Sequence, residues 1–105
     1  MLCIGLDVHR ELCQACAIDE SGRPLSNERI SSTNEELDRF PGRFQDAKFV
    51  LESTGIWEFI YELIWKRGFE AVLAHPLRVR ALAEARVKMD RVDAETLARL
   101  LRAWW

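Results

Sequence analysis

An α/β domain with a mixed five-stranded sheet in the order 3-2-1-4-5 and flanking helices is the fold this sequence predicts. Three observations point to it. Leu2, Ile4, Leu6 and Val8 alternate with Cys3, Gly5, Asp7 and His9, the period-two pattern of a strand with one apolar face and one small or polar face. Residues 12–19 and 25–30 continue as two further strand patterns joined by tight breaks, which gives a meander. Two short apolar runs, residues 48–52 and 70–74, then alternate with helical stretches, and a right-handed crossover sets the first of them beside strand one and parallel to it, with the second beside the first.

Element by element, Arg10-Glu11 breaks the first strand from the second, and Glu20-Ser21-Gly22-Arg23-Pro24 is a turn by its Gly and Pro. Thr33 followed three residues later by Glu36 has the form of a helix start, with Leu37, Phe40 and Phe44 directed inward and Pro41-Gly42 ending or kinking the helix. Residues 56–67 form a helix that is apolar except for Glu58, Glu62 and Lys66, which fall on one stripe. A helix so dry needs more than one cover, so Trp57 and Trp65 are candidate interface residues. Gly68 stops it, and His75-Pro76 closes the fifth strand. Residues 77–86 are helical by propensity. Asp90 opens the last helix, whose Ala94, Leu97, Ala98, Leu101, Trp104 and Trp105 form an apolar stripe. Two terminal tryptophans without a polar tail suggest a helix that continues or docks on something else, so Trp104 and Trp105 join the interface candidates.

A chain of 105 residues holds one domain with one modest core. Its apolar share of 49% and charged share of 30% are those of a globular protein. No apolar run has the length of a membrane span, and the opening residues lack the basic region of a signal peptide, so a cytoplasmic, nucleoid-associated location is expected. Three cysteines without a secretory signal are expected to be reduced. Cys13 and Cys16 spell C-x-x-C, but their odd offset on a strand sends them to opposite faces. The net charge of −2 is uneven: there are six basic and twelve acidic residues through Trp65, and nine basic and five acidic from Lys66 onward.

Four acids stand out. Asp7 lies inside an apolar strand and Glu52 ends another, and both strands finish at the edge where open α/β sheets place their chemistry. Asp90 and Asp93 sit three apart at the mouth of the last helix, on one shared face. Four carboxylates in one small volume cannot all stay ionised without counter-charge. Hard oxygen ligands select Mg²⁺ or Mn²⁺, and two such ions roughly 4 Å apart can activate an attacking oxygen and stabilise a leaving one, the chemistry of phosphodiester cleavage or strand transfer. Each acid also has a plainer account. Asp90 read alone is an N-cap with Asp93 at N3, Glu52 could lie in water past its strand, and Arg10 could pair with Asp7. Arg78, Arg80, Arg86, Lys88 and Arg91 are candidate phosphate contacts on DNA, with solvation as the plain alternative. His9 and His75, both at strand ends, read as hydrogen-bonded turn residues before proton carriers.

Four segments, Ile4-Gly5-Leu6-Asp7-Val8-His9, Leu51-Glu52-Ser53-Thr54-Gly55, Ala74-His75-Pro76-Leu77 and Lys88-Met89-Asp90-Arg91-Val92-Asp93-Ala94, resemble in that order the DEDD transposases of the one-ten family of insertion sequences. The Piv-type DNA invertases share the pattern. The resemblance implies a RuvC-like, ribonuclease H-like fold, with Asp7, Glu52, Asp90 and Asp93 as a tetrad binding Mg²⁺. It further implies a DNA substrate, a bridge RNA, an oligomer, and a separate domain bearing a serine nucleophile. No serine here matches that nucleophile, Ser53 included, and the chain is expected to be a truncated form. Met89 replaces a usual threonine and Arg10 a common lysine, and both substitutions leave the acids in place. The alternative from another class is a non-catalytic remnant that pairs through its tryptophans. A sugar-kinase-like phosphate-binding fold shares the early strands, but this chain lacks a glycine-rich phosphate loop.

Overall fold

The computed structural model describes residues 1–52, 57–74 and 93–104. Strands β1 (Leu2–Val8), β2 (Leu12–Ile18) and β3 (Pro24–Ser31) form an antiparallel meander. Strands β4 (Ala47–Glu52) and β5 (Glu70–Ala74) add in parallel on the other side of β1, giving the expected order β3-β2-β1-β4-β5. Among the described residues, three helices accompany the sheet: α1 (Asn34–Arg39), α2 (Trp57–Lys66) and α3 (Ala94–Trp104). The expected helix over residues 77–86 lies outside the described residues.

Local chemistry accounts for the boundaries. Thr33 caps α1, its hydroxyl accepting the Glu36 N–H at 3.3 Å, and Pro41 turns the chain into a short 3₁₀ segment, Pro41–Arg43. In the β2–β3 turn, the Asp19 carboxylate accepts from the Ser21 and Arg23 backbone N–H groups at 2.9 Å each, and Gly22 takes the positive φ of 87° that the turn requires. These hydrogen bonds, the Ser21 hydroxyl's first, hold the Asp19 carboxyl below the usual carboxylate range.

The pleat of the sheet divides its residues between two layers. Ile4, Leu6, Phe49 and Leu51 pack with Leu37 of α1, with Phe40 at its C-terminal end, and with Ile60 and Ile64 of α2. On the opposite face, Val50 and Ala74 meet Leu97, Leu100 and Leu101 of α3, while Cys16 and Ile18 meet Ala94 and Ala98. Cys13 belongs to the first layer and Cys16 to the second, and both are free thiols, as the odd offset requires. Burial, helped by the Asp7 charge, pushes the Cys13 thiol up to about 12. Of the apolar stripe expected for the last helix, Ala94, Leu97, Ala98 and Leu101 are buried, with Leu100 and Thr96 buried alongside them, while the Trp104 side chain and Trp105 lie outside the described residues.

α3 rests on β1 so closely that only glycine fits beneath it. A methyl group at Gly5 would stand 2.1 Å from the Ala94 carbonyl oxygen and 2.6 Å from the Ala98 nitrogen, both rigid backbone atoms. At its far end α3 is tied to the β2–β3 turn. There Arg99 donates to the Gly22 carbonyl at 3.3 Å and Arg102 to the Glu20 carbonyl at 3.0 Å. The helix therefore runs from the carboxyl end of β1 back toward its amino end. Gly5→Ala should cost about 3 kcal/mol in urea denaturation. Gly42→Ala should stay within about 0.5 kcal/mol, since a methyl group there meets nothing within 4 Å. A Gly5→Ala protein as stable as wild type would contradict this packing.

Candidate metal and nucleic-acid site

Asp7 and Glu52 reach the same sheet edge by strand pairing. Leu6 pairs with Leu51 in the parallel β1–β4 ladder, so Asp7 and Glu52 follow as the next step on each strand. Leu6 and Leu51 belong to the layer of α1 and α2, and alternation sends the two acids to the face that holds α3. Ala74, the partner of Glu52 on β5, is likewise in the α3 layer.

Asp93 arrives by the helix. Because Ala94 is seated over Gly5, the residue before it stands at the mouth of α3, on the side toward Asp7. Its carboxylate oxygen Oδ1 accepts the Thr96 N–H at 2.9 Å, and its carbonyl accepts the Leu97 N–H at 3.0 Å. Asp93 is thus the N-cap itself and not a residue of the first turn. This corrects the expectation of a helix opened by Asp90 with Asp93 at N3: the described helix begins at Ala94. Asp90 lies outside the described residues.

Asp7 and Asp93, far apart in the chain, line one cleft of about 790 Å³. Asp7 has a partner that the sequence reading did not assign to it. His9 Nε2 stands 3.2 Å from Asp7 Oδ2, with side-chain exposures of 67% and 31%. Arg10, the expected candidate, lines the cleft without an ion pair among the described residues. The amide pair Gln14–Asn27, 2.6 Å apart, and the Arg29 guanidinium complete the wall opposite α3. Sequence reasoning passed over these residues because only the strand registers, β1–β2 for Gln14 and β2–β3 for Asn27 and Arg29, place them beside Asp7.

Among the described residues, no three His, Cys, Asp or Glu side chains are gathered closely enough to hold a metal ion. The donor chemistry nevertheless suits a hard divalent cation. Asp7 and Asp93 share a cleft whose wall also includes Glu11 and Glu95, and Glu52 ends the adjacent strand on the same face as Asp7.

The remaining candidates divide simply. Arg78, Arg80, Arg86, Lys88, Arg91, His75 and Ser53 lie outside the described residues, as do the Trp104 side chain and Trp105. Trp57 is half-buried against the α1/α2 layer and meets the Tyr61 ring edge-on at 6.1 Å, while Trp65 is 49% exposed. No helix among the described residues is long and apolar enough to cross a membrane.

Comparison with known structures places this architecture in the RuvC-like, ribonuclease H-like class. The chain is similar to RuvC of Thermus thermophilus at 14% identity and a TM-score of 0.58, covering 98% of this chain and 78% of that one. It is also similar to a ROK hexokinase from Thermus thermophilus, with 18% identity, a TM-score of 0.56, and 86% and 39% of the two chains covered. A ROK family glucokinase from Streptomyces griseus, in complex with glucose and AMPPNP, matches at 16% identity and a TM-score of 0.54, covering 87% and 38%. The chain thus spans about two fifths of the length of either kinase. These likenesses concern the fold. No curated protein sequence matches the chain significantly. The family model of the DEDD transposases of the one-ten insertion sequences, described as "Transposase", matches residues 4–104, and the chain belongs to that family.

The cap separates two roles of Asp93. Asp93→Ala should lower stability by about 1 kcal/mol, whereas Asp93→Asn, an equally good cap, should stay within a few tenths. Equal thermal melts for wild type and Asp93→Ala would contradict the cap.

Proposed function

We propose that this chain is the metal-dependent catalytic domain of a DNA transposase that cuts and rejoins phosphodiester bonds. Asp7, Glu52, Asp90 and Asp93 are its ligands for Mg²⁺ or Mn²⁺, with two ions as the full complement. The observation that carries this reading is the meeting of Asp7 and Asp93 in one cleft, beside the strand end that bears Glu52. Family membership supports the reaction class. When bound, the cation supplies Lewis acidity to an attacking oxygen and counter-charge to a leaving one.

The protein's own part is orientation. The sheet holds Asp7 and Glu52 at a fixed spacing, the cap holds the Asp93 carboxylate, and His9 restrains Asp7. In the same reading, Arg78, Arg80, Arg86, Lys88 and Arg91 engage phosphate, a structured bridge RNA pairs with the target, and the working form is an oligomer. A second reading, a non-catalytic interaction module, draws on the exposed aromatics Phe59 and Trp65 of α2.

Isothermal titration with Mn²⁺ separates the two. Wild type should bind, and Asp7→Asn and Asp93→Asn should each lose at least about tenfold in affinity while keeping native melts. Absence of heat with wild type, or unchanged binding in Asp7→Asn, would favour the interaction module.

A further inference from the structure

The sheet places Asp7, Gln14 and Arg29 in one row. Asp7 pairs with Gln14 across β1 and β2, and Gln14 pairs with Arg29 across β2 and β3. With strands about 4.8 Å apart, Arg29 stands roughly 10 Å from Asp7 along the sheet, backbone to backbone. Paired residues of adjacent strands point to the same face, so the row lies on the α3 side. It borders the cleft at the end of the sheet where α3 begins.

Three properties of the row call for an external partner. The first is charge without a resident counterpart. Arg43 holds Glu28 at 2.7 Å, Arg67 holds Asp38 at 2.6 Å and Arg99 holds Glu95 at 3.0 Å, whereas Arg29 and Arg10 form no ion pair among the described residues. The second is composition. The row's neighbour Asn27 is an amide hydrogen-bonded to Gln14, so a guanidinium and two amides lie together beside Cys16 and Ile18, the apolar residues of the same strand face that α3 covers. The third is reach. Arg29, its backbone about 10 Å from that of Asp7, can grip a phosphate about one or two nucleotides from the one being cut. Guanidinium and amide N–H groups are the usual donors to phosphate oxygens.

We infer that the row Gln14–Arg29, with Asn27 and Arg10, is a backbone clamp for a DNA strand, running from the carboxylates toward β3. The inference rests on the proposed metal-dependent function and adds a strand path on the meander side of the cleft. The clamp positions the strand, and Arg29 is its principal phosphate contact.

Fluorescence anisotropy of a labelled single-stranded DNA oligonucleotide, in Mg²⁺ and across a salt series, tests it on the intact chain. Arg29→Glu should weaken binding by about tenfold or more and lower the salt slope by about 1. Arg29→Lys should keep most of the affinity. Arg39→Glu on α1, the same charge change on the other layer, should alter it by less than about twofold. Arg29 is exposed, so its variants should fold, and matching melts confirm it. Arg29→Glu behaving like Arg39→Glu would overturn the clamp. If Asp7→Asn still abolished Mn²⁺ binding, the metal-site reading would survive. Tight binding of the equivalent RNA strand with none of DNA would also overturn the clamp, and no nucleic-acid binding by wild type would overturn both.

Discussion

The contact between Gly5 and the first turn of α3 is the constraint on which the site depends. A helix can lie this close to a strand only where the strand offers no side chain, and the Ala94 carbonyl and Ala98 nitrogen occupy the space of the missing methyl group. Ala94 and Ala98 are small for the same reason, and the helix is held at its other end by Arg99 and Arg102 on the β2–β3 turn. Once the helix is seated, Asp93 has little choice of position. It caps the helix at the carboxyl end of β1, two residues along the strand from the glycine that made the approach possible.

That placement creates an electrostatic demand. The cleft brings Asp7 and Asp93 together with Glu11 and Glu95, against the cations Arg10 and Arg29. Left so, it would repel the polyanion on which a transposase acts. In the proposed reading, divalent cations would reverse the balance, and the arginines on the meander side would then serve as phosphate contacts. The acids that repel DNA in the empty cleft would, with metal, be what holds it. His9 beside Asp7 and the cap on Asp93 hold two of these carboxylates in place before any ligand arrives.

Much of this was legible in the sequence, because the strands report their faces through alternation. The apolar Leu2-Ile4-Leu6-Val8 series put Asp7 on the other face, and the chain order with short connections gave the sheet order 3-2-1-4-5. The strand end at Glu52 and the three-residue spacing of Asp90 and Asp93 singled out the other acids, and the family motifs carried the same four. Three things were not legible. The role of Asp93 as cap depends on where the helix begins, and a capping acid at either 90 or 93 satisfies the same pattern. The His9–Asp7 pair joins two residues of one strand end, where Arg10 was the stronger candidate on charge alone. The row of Gln14 and Arg29 depends on hairpin register, and one residue of slip would turn Arg29 to the opposite face.

Anomalous diffraction from a manganese-soaked crystal bears most directly on the claim that this helix seat builds a metal site. The account predicts a manganese peak in the cleft at coordination distance, about 2.2 Å, from carboxylate oxygens of both Asp7 and Asp93, with Glu52 on its third side. A crystal in which manganese binds elsewhere while the two aspartates face apart would contradict it.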